Sequence, residues 1–375
     1  MKFTLSWLKQ HLQTNAPVEQ ITDKLTHIGL ELEALIDRAA SLKNFSVAHV
    51  VTCEQHPSAD RLRLCMVDIG AGTVQVVCGA PNARAGMKGV FAPIGATIPA
   101  NGMVLKPTKI RGVESNGMLC SARELGLSED HEGIIELPDD APVGASIAGV
   151  LGLDDPLIDI SITPNRPDCL GVHGIARDLA AAGAGMLNTG AVEPVPGNGP
   201  CPIEIGLHFD AAASNACPMF AGRLIRGVRN SPSPDWLRNQ LEAVGLRSIS
   251  ALVDITNYIS LDRGRPLHVY DADKLRGQIH ARLGRAGEKF RALDGNEYEP
   301  GDGACVIADD SGVLALGGVM GGEASGCTDA TVNVFIESAY FDPLRTSATG
   351  RKFGIESDAR YRFERGVDVD FVEAG

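Results

Sequence analysis

The sequence has no run of about eighteen apolar residues, which excludes an ordinary membrane-spanning helix. It has no C-x-x-C pair, and its nine cysteines are an odd number scattered from Cys53 to Cys327. That pattern argues against a disulfide framework or a zinc knuckle and makes a reducing cytoplasm the default compartment. Most of the cysteines then read as small core residues. Basic residues are outnumbered, 34 against 47 acidic, for a net charge of −13. That balance argues against a histone-like or polybasic binder, while leaving room for a local basic face. The opening Met1–Lys9 meets charge again at once, so it is no secretory signal. The familiar catalytic strings are missing too: there is no phosphate-cradling G-x-x-x-x-G-K-[ST], no dinucleotide G-x-G-x-x-G after a strand, no H-E-x-x-H and no G-x-S-x-G.

What is present is a globular chain of 375 residues, 44% hydrophobic and 22% charged, long enough for two or three domains. Ser6 can cap a helix running to His11, and Ile21, Leu25 and Ile28 mark a second helix that stops at Gly29. Leu30 to Ile36 then alternates like a strand. From about Ser46 to Ile147 short β-branched runs, Val47–Val51, Val74–Cys78 and Lys109–Val113, are separated by turn clusters, the pattern of a small closed barrel. Leu157–Ile162 reads as a strand, Val172 to about Ala182 as a helix, and Gly183 to Pro202 as a linker. Beyond Ile203 strands mix with a helix near Trp236–Val244, and the sequence stops at Gly375 inside an apparent helix beginning near Asp370. The chain is therefore expected to be a piece of a longer protein.

Three groups of residues carry chemistry. Lys109 and Arg111 lie two apart, which on a strand places both on one face, with Lys106 at its rim. Such cations can follow a phosphate backbone. Only Phe45 and Phe91 are aromatic in this region, too few for base stacking. Further on, Thr256 and Asn257 follow an expected strand Leu252–Ile255, His268 follows Pro266 beside Tyr270 and Asp271, and Glu337 shares strand parity with Phe335. These are polar groups in apolar surroundings and are compatible with a polar pocket. The third group, Gly317-Gly318-Val319-Met320-Gly321-Gly322, is either a tight turn or a place where a ligand meets bare backbone amides.

His56-Pro57-Ser58-Ala59-Asp60-Arg61-Leu62, Val77-Cys78-Gly79-Ala80-Pro81-Asn82 and the run from Lys109 to Ser121 closely resemble the tRNA-binding OB-fold module of synthetases and their auxiliary proteins. The flanks narrow the choice. Ser6-Trp7-Leu8, Thr163 to Leu170, Val253 to Tyr258, Gly264-Arg265-Pro266-Leu267-His268, Gly317 to Glu323 and Tyr361 to Asp368 resemble the β subunits of bacterial phenylalanyl-tRNA synthetases, in order along the whole chain.

That resemblance implies an α+β multidomain fold. A small α/β unit (1–38 and 151–190) is interrupted by an OB-fold barrel (39–150) and followed by a mixed α/β editing domain (203–375). It implies an α2β2 enzyme that joins phenylalanine to tRNA-Phe in the cytoplasm, with ATP and magnesium bound outside residues 1–375 and no cofactor or metal in this segment. The α subunit and tRNA-Phe are the implied partners. The β subunit contributes tRNA contacts and a site that hydrolyses mischarged tyrosyl-tRNA. By position, Glu337 and the backbone at Gly321 match the reading of the tyrosine hydroxyl. Thr256, Asn257 and His268 match polar groups near the ester, and Ser357 falls where other members can carry threonine. Lys106, Lys109, Arg111, Ser115 and Asn116 are the implied RNA contacts. The alternative is a tRNA-binding scaffold whose editing pocket is inactive.

Overall fold

The structure, a computed structural model, describes residues 1–128, 130–190 and 194–375. Positions 191–193 of the expected linker therefore lie outside the described residues. The fold is mixed α/β and separates into two units, one formed by Met1–Ala34 with Leu157–Gly375 and the other by Leu35–Pro156.

The Leu35–Pro156 unit is a nearly closed sheet. Its strands run in the order Gly117–Leu119, Lys88–Pro93, Ser46–Gln55, Arg63–Asp68 and Thr73–Cys78. The two ends approach each other through a short hairpin, Thr108–Ile110 with Val113–Ser115. Gln75 Nε2 donates to Glu114 O at 2.8 Å, Asn116 N to Gln75 O at 2.9 Å, and Val77 N to Ser115 Oγ at 3.1 Å. These bonds occupy backbone groups that an open edge would leave unpaired. Inward residues Val50, Cys65, Val67 and Val76 are fully buried, as alternation on half-covered strands requires.

The motif residues of this unit are engaged in holding it together. His56 is buried, its Nδ1 accepts from Ser58 N at 3.0 Å, and its Nε2 lies 3.1 Å from Ile110 O. Since Nδ1 accepts, the proton sits on Nε2 and the ring ties its loop to the hairpin. Asn82 acts as a short piece of strand: its Nδ2 donates to Ile134 O and its Oδ1 accepts from Ile134 N, both at 2.9 Å.

In the other unit Lys2–Thr4 pairs antiparallel with Leu157–Ser161, placing Phe3 opposite Ile158. The first helix is Leu5–His11, and its cap is Thr4, whose Oγ1 accepts from Trp7 N at 3.3 Å, rather than Ser6. The helices Val18–His27, Val172–Ala181 and Asp235–Ala243 and the strand Glu31–Ile36 lie where periodicity places them.

Two sheets carry the rest. One has the order Ile205–His208, Ile279–Leu283, Cys305–Asp309, Gly312–Leu316, Met320–Gly321. The other sets Asn333–Tyr340 between Met219–Arg226 and His268–Asp271. Tyr270, Ile307, Phe335, Phe341 and Phe363 share one core. Cys305–Asp309 is buried at every position, the mark of a strand covered on both faces.

Three further local readings are corrected. Leu252–Ile255 is not a strand but part of the helix Ala251–Arg263, ended by Gly264 in the left-handed region at φ 66°. Its β-branched residues favour a strand, but Asp254 anchors the first turn, accepting from Ser233 Oγ and Ser248 Oγ at 2.5 Å and from Ile249 N at 3.0 Å. Tertiary contacts thus outweigh a weak local preference. Lys109–Val113 is not one strand, because Arg111 (φ 50°) and Gly112 (φ 88°) form its turn. The segment near Asp370 makes one turn, closed by Gly375 N to Phe371 O at 2.9 Å, in place of a helix, since a single such bond does not propagate one.

Candidate functional site

The antiparallel pairing of His268–Asp271 with Asn333–Tyr340 sets His268 directly opposite Glu337. Directly opposed residues project to the same face, and Tyr270, two positions along, joins them there. Tyr270 Oη donates to Glu337 Oε2 at 2.6 Å. The His268 ring stands edge-on to Tyr270, with centroids 4.3 Å apart and planes at 79°.

The glycine-rich turn closes the opposite side. A Cβ on Gly321 would lie 2.4 Å from His268 Cε1, so no other residue admits the imidazole here. Gly317 and Gly318 pack in the same way against Phe341. The turn is tight, as the first reading of these glycines has it, and it also lines a cavity. Gly322 N donates to Leu314 O at 2.7 Å, which makes the flanking pair Ala315–Gly321 the non-hydrogen-bonded kind. The Gly321 N–H consequently points away from that strand, on the side where Leu293 N donates to Gly321 O at 3.0 Å. The cavity, about 70 Å³, is lined by His268, Tyr270, Glu337, Gly318, Gly321 and Phe363 among others. That exceeds the ~10–15 Å³ that one water occupies.

Its electrostatics follow from burial. Desolvation pushes the Glu337 carboxyl up to about 7, although the Tyr270 hydrogen bond pulls the other way. Burial lowers His268 to about 4, so its ring is neutral at pH 7. Its Nε2 is buried and has no hydrogen-bond partner among the described residues. Burial and the neighbouring carboxylate hold the Tyr270 phenol well above its ordinary value, as a donor. A neutral imidazole, a carboxyl near its midpoint and a phenol suit a ligand carrying a hydroxyl better than an anion, since no cationic side chain lines the cavity to balance a buried negative charge.

Of the six residues expected here, the fold brings Glu337, His268 and Gly321 to one cavity. Thr256 and Asn257 are half-buried on the helix Ala251–Arg263 and do not line it; Thr256 Oγ1 donates to Val253 O at 2.7 Å. Ser357 caps the helix Asp358–Phe363, accepting from Arg360 N at 3.0 Å and donating to Val319 O at 2.6 Å. It therefore supports a residue of the lining from behind. Tyr270 was missed as a site residue, although its place two residues from His268 on a strand is a signal that period-two reading could have used.

In the barrel, Lys106, Lys109, Arg111 and Asn116 are exposed. Lys109 pairs with Glu114 at 3.5 Å, and Arg111 sits in the turn, so the two cations do not share a strand face. Ser115 is buried, and its hydroxyl is occupied between Val77 N and Gly117 O, each at 3.1 Å. Among the described residues one side-chain group is tight enough for a metal: Asp168, Cys169 and Asp178. Arg166 and Arg177 already bridge those carboxylates, and against the cost of burial they hold Asp168 down to about 2. Guanidinium groups take the place a cation would need.

Comparison with known proteins agrees with this division. Residues 45–146 match the tRNA binding domain family and residues 216–375 the B3/4 domain family. The chain is 59% identical over 372 residues to the phenylalanine–tRNA ligase beta subunit of Paramagnetospirillum magneticum, covering 99% of this chain and 46% of that one. It is 56% identical over 377 residues to the beta subunit of Bradyrhizobium diazoefficiens, covering 100% of this chain and 46% of that one. An N-terminal fragment of the phenylalanyl-tRNA synthetase beta subunit from Pyrococcus horikoshii matches 54% of this chain and 61% of that one at 18% identity. Its TM-score of 0.29 is too low to carry an argument. The resemblance read from the sequence is borne out: the chain is highly similar to these beta subunits and spans about half the length of the curated relatives it matches. Among the described residues, no helix is long and apolar enough to cross a membrane.

Proposed function

We propose that this chain serves a phenylalanine–tRNA ligase as the tRNA-binding and editing portion of its beta subunit, and that the cavity at Glu337 hydrolyses tyrosine esterified to tRNA-Phe. The carrying observation is the convergence of Glu337, His268, Tyr270 and Gly321 on one cavity within the B3/4-matched region. Its partners in this reading are tRNA-Phe and the alpha subunit, with ATP and magnesium used elsewhere in the assembled enzyme.

The chemistry gives such a site its purpose. A hydrophobic synthetic pocket rejects a substrate that merely adds a hydroxyl by only about 10²-fold, whereas a site built to bond the hydroxyl rejects the analogue lacking it by roughly 10⁴–10⁵. Glu337 accepts from the tyrosyl hydroxyl, and the Gly321 N–H donates to the same oxygen. Phenylalanine would leave both groups unpaired in a desolvated place. The side chains hold and orient the substrate while water attacks the ester carbonyl, with His268, neutral at pH 7, and the tRNA's own hydroxyls placing that water. Thr256 and Asn257 lie off the cavity lining, so any part they play is at the tRNA end of the ester. In the barrel, Lys106, Lys109, Arg111 and Asn116 meet RNA phosphate from its surface, while Ser115 shapes the strand beside them.

The test is deacylation of tyrosyl-tRNA-Phe and phenylalanyl-tRNA-Phe by the assembled synthetase. Rapid loss of tyrosine with phenylalanine retained supports this reading. Equal, uncatalysed rates for both would leave a tRNA-binding scaffold with an inactive pocket.

A further inference from the structure

Glu337 has two carboxyl oxygens, and one is taken. Tyr270 Oη donates to Oε2 at 2.6 Å, from a side chain with no solvent exposure. Among the described residues it is the one hydrogen-bond donor to this carboxyl. Resting on the editing reading above, we propose that Tyr270 is a specificity-determining positioning residue. By holding Oε2 it fixes the carboxyl plane and leaves Oε1 as the oxygen with no partner among the described residues, open to a substrate phenol.

The surroundings give Tyr270 this influence by supplying nothing else. His268 faces Glu337 across the sheet and is neutral at pH 7. The residue opposite on the other neighbouring strand is Gly222, and the glycine-rich turn brings no charge. Cys217 and Cys305 lie close enough to feel the carboxylate, but burial raises both thiols, so they stay protonated. Without a cation at hand, the phenol is the group that favours the ionised form. It also occupies one acceptor site on the other oxygen, where a hydroxyl at another position on a ring could otherwise bond. A carboxyl free to rotate would offer either oxygen and blur that choice.

Hydrogen bonds to charged groups are strong enough to move a carboxyl midpoint by about one to two pH units when lost. In the assembled synthetase, Tyr270→Phe should therefore shift the acid limb of tyrosyl-tRNA hydrolysis upward by about that much. At pH 7 the rate should fall about tenfold, and it should recover at higher pH after correction for spontaneous ester loss. A purely structural role would not be rescued by pH. Replacing Tyr270 with 3-fluorotyrosine keeps the bond with a more acidic donor and should shift the limb downward, which keeps the test informative if the phenylalanine variant folds poorly. The Glu337 carboxyl is titrated in parallel by isotope-edited infrared spectroscopy, which needs no activity. An unmoved Glu337 midpoint in both variants overturns the role of Tyr270 even if tyrosyl-tRNA is hydrolysed. A wild-type enzyme that leaves tyrosyl-tRNA intact overturns the editing reading, while the titration still decides whether Tyr270 sets the carboxyl.

Discussion

The barrel and the B3/4-matched region treat their recognisable residues in opposite ways. In the barrel His56, Asn82 and Ser115 spend their polar atoms on the backbone around them. In the other region His268 keeps a buried Nε2 without a partner among the described residues, and Glu337 is pushed far from its ordinary ionisation. A highly specific motif can therefore be specific because it builds a fold. An unsatisfied or displaced polar group, costly to keep, points instead to a ligand.

The comparison can be broken from either side. The largest effect should come from Gly321→Ala, whose methyl would meet the His268 ring at 2.4 Å. It should nearly abolish tyrosyl-tRNA hydrolysis with an unchanged melting transition of the barrel; retained hydrolysis would mean the cavity is not where the ester binds. Asn82→Ala should do the reverse. Losing both bonds to Ile134 and leaving its backbone unpaired should cost about 2–4 kcal/mol by chemical denaturation, with editing intact.

Stability against pH separates the regions further. A Glu337 carboxyl that ionises near 7 when folded, against 4.5 as an ordinary group, leaves stability complete below 4.5 and erodes it as pH rises through 7. His268, lowered from 6.5 to about 4, acts oppositely: its contribution is complete above 6.5 and is lost as pH falls through 4. Glu337→Gln should thus be more stable than wild type at pH 8, by up to a few kcal/mol, and no more stable at pH 4. Equal denaturation midpoints at both values would contradict the burial argument. The smallest effect belongs to the barrel surface. Replacing Lys109 and Arg111 by alanine should flatten the salt dependence of RNA binding by roughly one unit of slope per lost phosphate contact. An unchanged slope would make both residues merely solvated, and Lys109 already has Glu114 as its neighbour.

Much of this was legible in the sequence because periodicity and motifs act locally. The helices ending at His11 and His27, the barrel strands and the helix after Gly171 announce themselves by spacing and by glycine stops. Glu337, His268 and Gly321 could be named by resemblance. The failures have two causes: contacts made outside the local pattern, and one turn set by a neighbouring glycine. Asp254 makes a helix of a β-branched run through Ser233 and Ser248. Arg111 enters a turn because Gly112 beside it permits a two-residue hairpin. Tyr270 gains its meaning only when pairing brings Glu337, 67 residues away, to its hydroxyl.

The central claim is that Glu337 reads a tyrosine hydroxyl in this cavity. Its most direct test is the deacylation of tyrosyl-tRNA-Phe by the assembled synthetase, wild type against Glu337→Ala, with phenylalanine charging followed in the same preparations. Removing a hydrogen bond to a charged group is worth about 1.5–3 kcal/mol, so hydrolysis should slow by roughly ten- to a hundredfold while charging is nearly unchanged. Equal hydrolysis by the two proteins would contradict the account and return Glu337 to the status of a buried acid held by a tyrosine.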